Sequence, residues 1–218
     1  MRLWHSTALL AVLAAALIAT GCGGDGDEAD GAAEALPVGC EPVDPPPPKQ
    51  EDLRRPRVNP REAVEALVET SCGPFEVTLD TASSPKTTTS FAFLVEHGFY
   101  EDTSISYIDE SVIQGGDPTG DRTGGPGYFV DEPPPFDVEY TRGTVAMAKT
   151  EVEPIGRSGS QFFVVYEPDA GLPPEFAVLG RVTQGMDVVD RIAELRDPGS
   201  ETGAPRAPVV IERIRLTP

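Results

Sequence analysis

Histidine is almost missing: among 218 residues only His5 and His97 occur. That excludes a multi-histidine metal centre and leaves little for a histidine relay. Basic residues are scarce as well, 17 against 36 acidic ones, for a formal net charge of −19. Such a chain has no basic stripe for a phosphate backbone, which excludes nucleic acid as a partner, and a negative membrane surface repels it. The apolar run Ala8 to Ala19 is 12 residues long. As a helix it rises about 18 Å, against a bilayer core of about 30 Å, so it does not span a membrane. What abounds instead is glycine and proline, 22 and 23 residues in clusters. Clustering confines any low-complexity character to parts of the chain.

The N-terminus reads as an address. Arg2 precedes the apolar run, the pattern of a signal peptide over residues 1–21. The ending Ala19-Thr20-Gly21-Cys22 is similar to a bacterial lipobox, in which the cysteine is acylated; an ordinary secretory signal with Cys22 incidental is the alternative. Both place the domain outside the cytoplasm, and the first adds lipid anchoring to the cell membrane. Residues 22–60 are acidic, small and proline-rich, with Pro45 to Pro48 expected as an extended polyproline spacer. With little to bury, they are expected to form a disordered tether. In an oxidising compartment the two remaining cysteines, Cys40 and Cys72, are candidates for a disulfide, with two free thiols as the alternative.

The domain is expected over residues 61–218. Phe75 to Asp80 alternates apolar and polar residues, a half-buried strand. Pro85 opens a helix of about a dozen residues after Ser83 and Ser84, stopped at Gly98. Short apolar strands follow at Val112-Ile113, Thr144–Met147, Phe162–Val165 and Ala177–Leu179. A second helix fits Met186 to Leu195, with Val188, Val189, Ile192 and Leu195 on one face. Val209 to Leu216 closes the chain as a strand, and composition permits a helix at Glu62 to Thr70. Many short strands with two isolated helices indicate a mainly β barrel or sandwich.

Several familiar chemistries fail on inspection. The glycine-rich stretch Gly115 to Gly127 lacks the Gly-Lys-Ser/Thr ending of a phosphate loop. Ser83-Ser84-Pro85-Lys86 has the Ser-x-x-Lys spacing of penicillin-binding enzymes without their companion motifs, and Gly156 to Ser160 is no nucleophile elbow. His97, at a helix end, is expected to cap it.

One constellation is specific. Val112-Ile113-Gln114-Gly115-Gly116-Asp117-Pro118, Thr123-Gly124-Gly125-Pro126-Gly127-Tyr128, Ala146-Met147-Ala148 and Ser158-Gly159-Ser160-Gln161-Phe162-Phe163 follow in that order. Together with Pro85-Lys86-Thr87, Gly98-Phe99-Tyr100 and Leu179-Gly180-Arg181-Val182, they resemble the cyclophilins in order and spacing, from about residue 65 to the C-terminus. The resemblance implies an eight-stranded antiparallel closed barrel capped by two α-helices, with Glu62 to Thr70 recast as the first strand. It also implies peptidyl-prolyl cis–trans isomerisation, which needs no nucleophile, metal or cofactor. By the same resemblance Gln114 and Gln161 hold the peptide backbone and Phe163 floors the proline pocket. Leu172 and Val112 line it, Phe176 borders it, and Ala148 pairs with substrate beside Lys149, which replaces a common asparagine. Gly171 stands where some members carry tryptophan.

One departure concerns catalysis. Active members read Phe-His-Arg upstream of the glutamine, and that arginine donates to the twisting amide. This chain reads Ile105-Ser106-Tyr107-Ile108-Asp109-Glu110-Ser111, with Ser106 or Tyr107 at the arginine's place, and no arginine between Arg61 and Arg122. Losing a charged donor weakens turnover, unless Arg122 or Arg157 swings in or Tyr107 donates instead. The resulting expectation is a monomeric, membrane-tethered isomerase acting on prolyl-containing exported polypeptides, with weakened catalysis. A non-catalytic prolyl-peptide-binding lipoprotein is the alternative, and a purely structural envelope lipoprotein is a third reading.

Overall fold

Phe75, Val77 and Leu79 point to one side of their strand, Glu76 and Thr78 to the other, and this alternation repeats around a closed wall. The structure is a computed structural model that describes residues 35–50, 52–57 and 64–217. The signal peptide and Cys22 lie outside the described residues. In chain order the elements are β1 (Glu65–Thr70), β2 (Gly73–Leu79), α1 (Pro85–Glu96), β3 (Thr103–Ile108), β4 (Val112–Asp117) and β5 (Val130–Asp131). They continue with β6 (Thr144–Met147), β7 (Arg157–Ser158), β8 (Phe162–Val165), β9 (Val178–Gln184), α2 (Met186–Ala193) and β10 (Val210–Thr217). Eight strands close an antiparallel barrel in the order β1-β10-β3-β4-β8-β6-β9-β2, while β5 and β7 form a separate two-stranded ribbon. Closure pairs each of the eight barrel strands on both sides and leaves the barrel no open edge.

The ambiguous stretch at Glu62 to Thr70 is strand from Glu65. Ala66, Val68 and Thr70 turn inward between β10 and β2, so burial on a pleated surface overrides any helical propensity. The first helix starts at Pro85 as expected, but no side chain of Ser84 caps it. Instead Glu132 reaches back from beyond β5 and accepts from the N–H groups of Lys86 (3.1 Å) and Thr87 (2.7 Å), placing a carboxylate at the positive end of the helix. At the other end His97 Nδ1 lies 2.7 Å from the Phe93 carbonyl. Phe91 carries the helix into the core, tilted against Tyr100 at 5.1 Å and edge-on to Phe162 at 6.1 Å. The second helix buries Val188, Val189 and Ile192, and Leu195 is buried just past its end.

The expectation of a disordered tether over residues 22–60 is corrected from Ala35 onward, where the compact unit begins. Cys40 is disulfide-bonded to Cys72. Next to it, the Glu41 N–H donates to the Ser71 carbonyl at 2.7 Å, and Leu36, Cys40 and Leu53 pack on the barrel core. Composition misjudged this stretch because a covalent bond and backbone hydrogen bonds hold it, rather than a large apolar surface.

Barrel closure depends on one close approach. A Cβ on Gly180 of β9 would lie 2.2 Å from the Thr78 carbonyl oxygen of β2. Gly180→Ala is therefore expected to cost on the order of 3 kcal/mol, because backbone rather than a flexible side chain must yield. Urea unfolding measures it, and an unchanged midpoint would contradict this packing.

Candidate active site

β8 reads Phe-Phe-Val-Val, apolar at every position, because both of its faces are covered. Phe162 and Val164 join the main core. Phe163 and Val165 join a second apolar cluster with Val112, Tyr140 and Ala146, flanked by Tyr107, Ala148, Leu172 and Phe176. Strand register assembles this cluster. Phe163 stands opposite Gln114 of β4 on one side and Ala146 of β6 on the other. Gln114 in turn stands opposite Tyr107 of β3. Directly opposed residues share a face, so Tyr107, Gln114, Phe163 and Ala146 make one stripe across four strands.

Aromatic rings fix the apolar end. Phe176 meets Phe163 edge-on, with centroids 5.4 Å apart, and Tyr140 meets Phe176 edge-on at 5.9 Å. The Tyr140 hydroxyl donates to the Phe176 carbonyl at 2.7 Å and accepts from the Phe176 N–H at 2.9 Å, locking that backbone in place. Lys149 is turned to the same task. Its ammonium pairs with Glu175 at 3.0 Å and lies 5.5 Å from the Phe176 ring centroid, so this side chain braces the site. Gly171 is exposed with φ +63°, in the loop before the half-buried Leu172.

The polar end is a relay of amides. Gln114 Nε2 donates to Gln161 Oε1 at 2.9 Å, and Gln161 Nε2 donates to the carbonyls of Arg122 (3.1 Å) and Gly124 (3.0 Å). Asp117, fully buried at the end of β4, folds the loop those carbonyls belong to. Its carboxylate accepts from the N–H groups of Thr119, Arg122 and Gly124 and from the Thr119 hydroxyl. Held this way, Arg122 adopts φ +68° and lays its guanidinium 4.9 Å from the Tyr107 ring centroid. The Tyr107 hydroxyl donates to Asp109 at 3.3 Å. Arg157 is directed elsewhere: it makes a two-pronged pair with Asp131 (2.9 and 3.2 Å) and stacks over Phe129.

β3 bulges between Ile105 and Tyr107, so Tyr107 rather than Ser106 faces Gln114. The Ser111 backbone N–H and its hydroxyl both donate to Asp109 Oδ1, turning the chain between β3 and β4. A cleft of about 970 Å³ opens beside Gln114, Ala148 and Gln161, and a second of about 680 Å³ lies over Tyr107 and Leu172. Arg122 lines both. Sequence reasoning missed Tyr140 and Asp117, because their partners are backbone groups of distant loops that spacing does not reveal. Among the described residues no group of three or more His, Cys, Asp or Glu side chains is placed to hold a metal ion.

All five tyrosines are held above their ordinary pKa of 10.0. For Tyr107 the cause is burial, then the neighbouring Asp109 charge, with Arg122 opposing. Burial pushes Tyr140 up to about 12, against the pull of the Phe176 N–H. The unfolded chain therefore loses its phenol protons first, so stability is full below pH 10.0 and declines above it, the Tyr140 part up to about 12. Absorbance at 295 nm is expected to titrate at higher pH in the native chain than in urea; coincident titration curves would contradict these environments. Asp117→Asn puts an N–H against the loop's own donors, and is expected to cost about 1–3 kcal/mol. Denaturant unfolding checks it, and a loss well below that range would contradict the frame.

Comparison with known proteins points in one direction. The family described as cyclophilin type peptidyl-prolyl cis-trans isomerase/CLD matches residues 66–216. A probable peptidyl-prolyl cis-trans isomerase B of Mycobacterium leprae is 39% identical over 171 residues, covering 70% of this chain and 57% of the relative. Its Mycobacterium tuberculosis counterpart is 36% identical, covering 67% and 52%. The chain thus spans little more than half the length of these two relatives. A peptidyl-prolyl cis-trans isomerase-like 1 of Neurospora crassa is 34% identical, and 94% of it is covered. Among solved structures, a Cryptosporidium parvum cyclophilin type isomerase aligns with a TM-score of 0.65 at 27% identity, over 72% of this chain and 99% of that one. The same protein was also solved in the presence of the dipeptide Ala-Pro, at a TM-score of 0.63.

Proposed function

This chain belongs to the cyclophilin-type peptidyl-prolyl cis-trans isomerase family, and on that footing we propose that it isomerises prolyl bonds in polypeptide clients, with Arg122 as the charged donor. The barrier is amide resonance, about 18–20 kcal/mol. Twisting the C–N bond abolishes that resonance and leaves a lone pair on the prolyl nitrogen. A site accelerates the twist by gripping the ring against apolar walls and offering donors matched to the twisted state. The apolar walls are Phe163, Val112, Leu172 and Phe176; the donors beside them are Gln114 and Arg122.

The observation that carries this reading is the guanidinium of Arg122 over Tyr107, opposite Gln114 and hydrogen-bonded through its carbonyl to Gln161. A loop arginine thereby stands beside the strand position that lacks one. Its placement on an exposed loop makes it a looser donor than a strand residue, so turnover is weaker than in members with the strand arginine. The absence of any arginine on β3 favours a second reading, a receptor that binds prolyl peptides without turning them over.

We also place the chain outside the cytoplasm, anchored through Cys22 and acting as a monomer on exported polypeptides. The Cys40–Cys72 bridge supports an oxidising compartment. The net charge of −19 favours clients with basic segments.

Arg122→Ala is expected to lower kcat by about a hundredfold with KM little changed, as for removal of one oxyanion donor. Arg122→Lys recovers only part, because an ammonium lacks the planar fork. Arg157→Ala leaves the rate unchanged. A protease-coupled prolyl isomerisation assay on the full chain reads all three. Full activity in Arg122→Ala would remove this residue from the mechanism, and binding without turnover by the parent would establish the receptor reading.

A further inference from the structure

The larger cleft is not walled by the barrel alone. Lys49, Gln50 and Asp52, from the proline-rich segment ahead of the domain, line it together with Ala148, Lys149 and Gln161. Four separate attachments hold them there. The disulfide between Cys40 and Cys72 clamps the segment upstream. The Lys49 N–H donates to the Pro118 carbonyl and the Leu53 N–H to the Pro126 carbonyl, each at 2.9 Å. The Lys49 ammonium donates to the Glu101 carbonyl at 2.6 Å. Pro118 and Pro126 bracket the loop that carries Arg122, so the segment braces that loop from outside. Asp52 packs so tightly on it that a Cβ at Gly127 would fall 2.7 Å from Asp52 Oδ1.

We infer that Lys49, Gln50 and Asp52 form a working wall of the peptide site: residues flanking the proline of a bound client run along this cleft and contact them. The inference rests on the prolyl-site reading above. Extended chain advances about 3.3–3.6 Å per residue, so a residue two or three positions from a proline seated at Phe163 lies about 7–11 Å away. The cleft continues from the site through Gln114, Ala148 and Gln161, which gives such residues a direct path into it. The Pro45–Pro48 run limits how far the wall can retreat, since proline fixes its own φ and stiffens the stretch between the disulfide and Lys49. The peptide-binding unit therefore begins at the segment and not at β1.

The test uses the full chain and three probes: the dipeptide Ala-Pro, and two hexapeptides in which Ala-Pro is extended by four residues on its amino or its carboxyl side. Two variants are compared with the parent. Cys40→Ser releases the segment at its clamp, and Gln50→Trp fills the cleft from the segment with the disulfide intact. Affinity is read by calorimetry or NMR shift titration. The expected result is that one of the two hexapeptides binds each variant about fivefold or more weakly, while the dipeptide binds all three proteins alike. Equal affinity of both hexapeptides across parent and variants would overturn the wall. If Cys40→Ser also weakens the dipeptide, its fold is disturbed and Gln50→Trp decides. Failure of the parent to bind any of the three peptides would overturn the prolyl-site reading and this inference with it.

Discussion

The buried carboxylate of Asp117 accepts from three backbone N–H groups and a threonine hydroxyl of the loop that follows it. A lone buried charge is costly, and only donors converging from the loop make the position tenable. In meeting that demand the loop takes one shape. That shape turns the carbonyls of Arg122 and Gly124 toward Gln161, which then receives Gln114, and it sets the Arg122 side chain over Tyr107. The polar half of the site is thus a consequence of satisfying one carboxylate.

The apolar half follows from β-sheet geometry. A strand with apolar residues on both faces belongs to two cores at once, and β8 supplies Phe162 to the barrel interior and Phe163 to the outer cluster. The interior holds the larger cluster of buried apolar side chains. The outer cluster is shallower and is finished by side chains from loops, Leu172 and Phe176 with Tyr140 and Lys149 behind them. The proposed chemistry requires no reactive group, only a rigid surface against which an amide is twisted, so on that reading the barrel that stabilises the fold also serves the site.

Much of this was legible in the sequence. β2, α1, β4, β6, β8, β9 and β10 carry their apolar periodicity openly, and Gln114, Gln161 and Phe163, singled out by the family resemblance, are neighbours in the fold. β3 was hidden because a bulge at Ser106 breaks the alternation of Ile105, Tyr107 and Ile108. The first helix shows no local cap because its cap, Glu132, is far away in sequence. Arg122 and Arg157 could each swing in as far as the sequence shows, and the structure separates them: Arg122 lies over Tyr107, while Arg157 is paired with Asp131. The cysteine pair was foreseen, but the segment from Ala35 was misjudged as disordered because the single backbone bonds that hold it leave no periodic trace.

The central claim is that this outer cluster with its loop-borne arginine lowers the barrier to prolyl rotation. The most direct measurement is two-dimensional NMR exchange on a short Ala-Pro peptide, with the intact chain present in catalytic amount. Uncatalysed interconversion takes tens to hundreds of seconds and gives no cis–trans cross-peaks at sub-second mixing times. The account predicts that cross-peaks emerge at those mixing times once the chain is added. Cross-peaks no stronger than in peptide alone would contradict it.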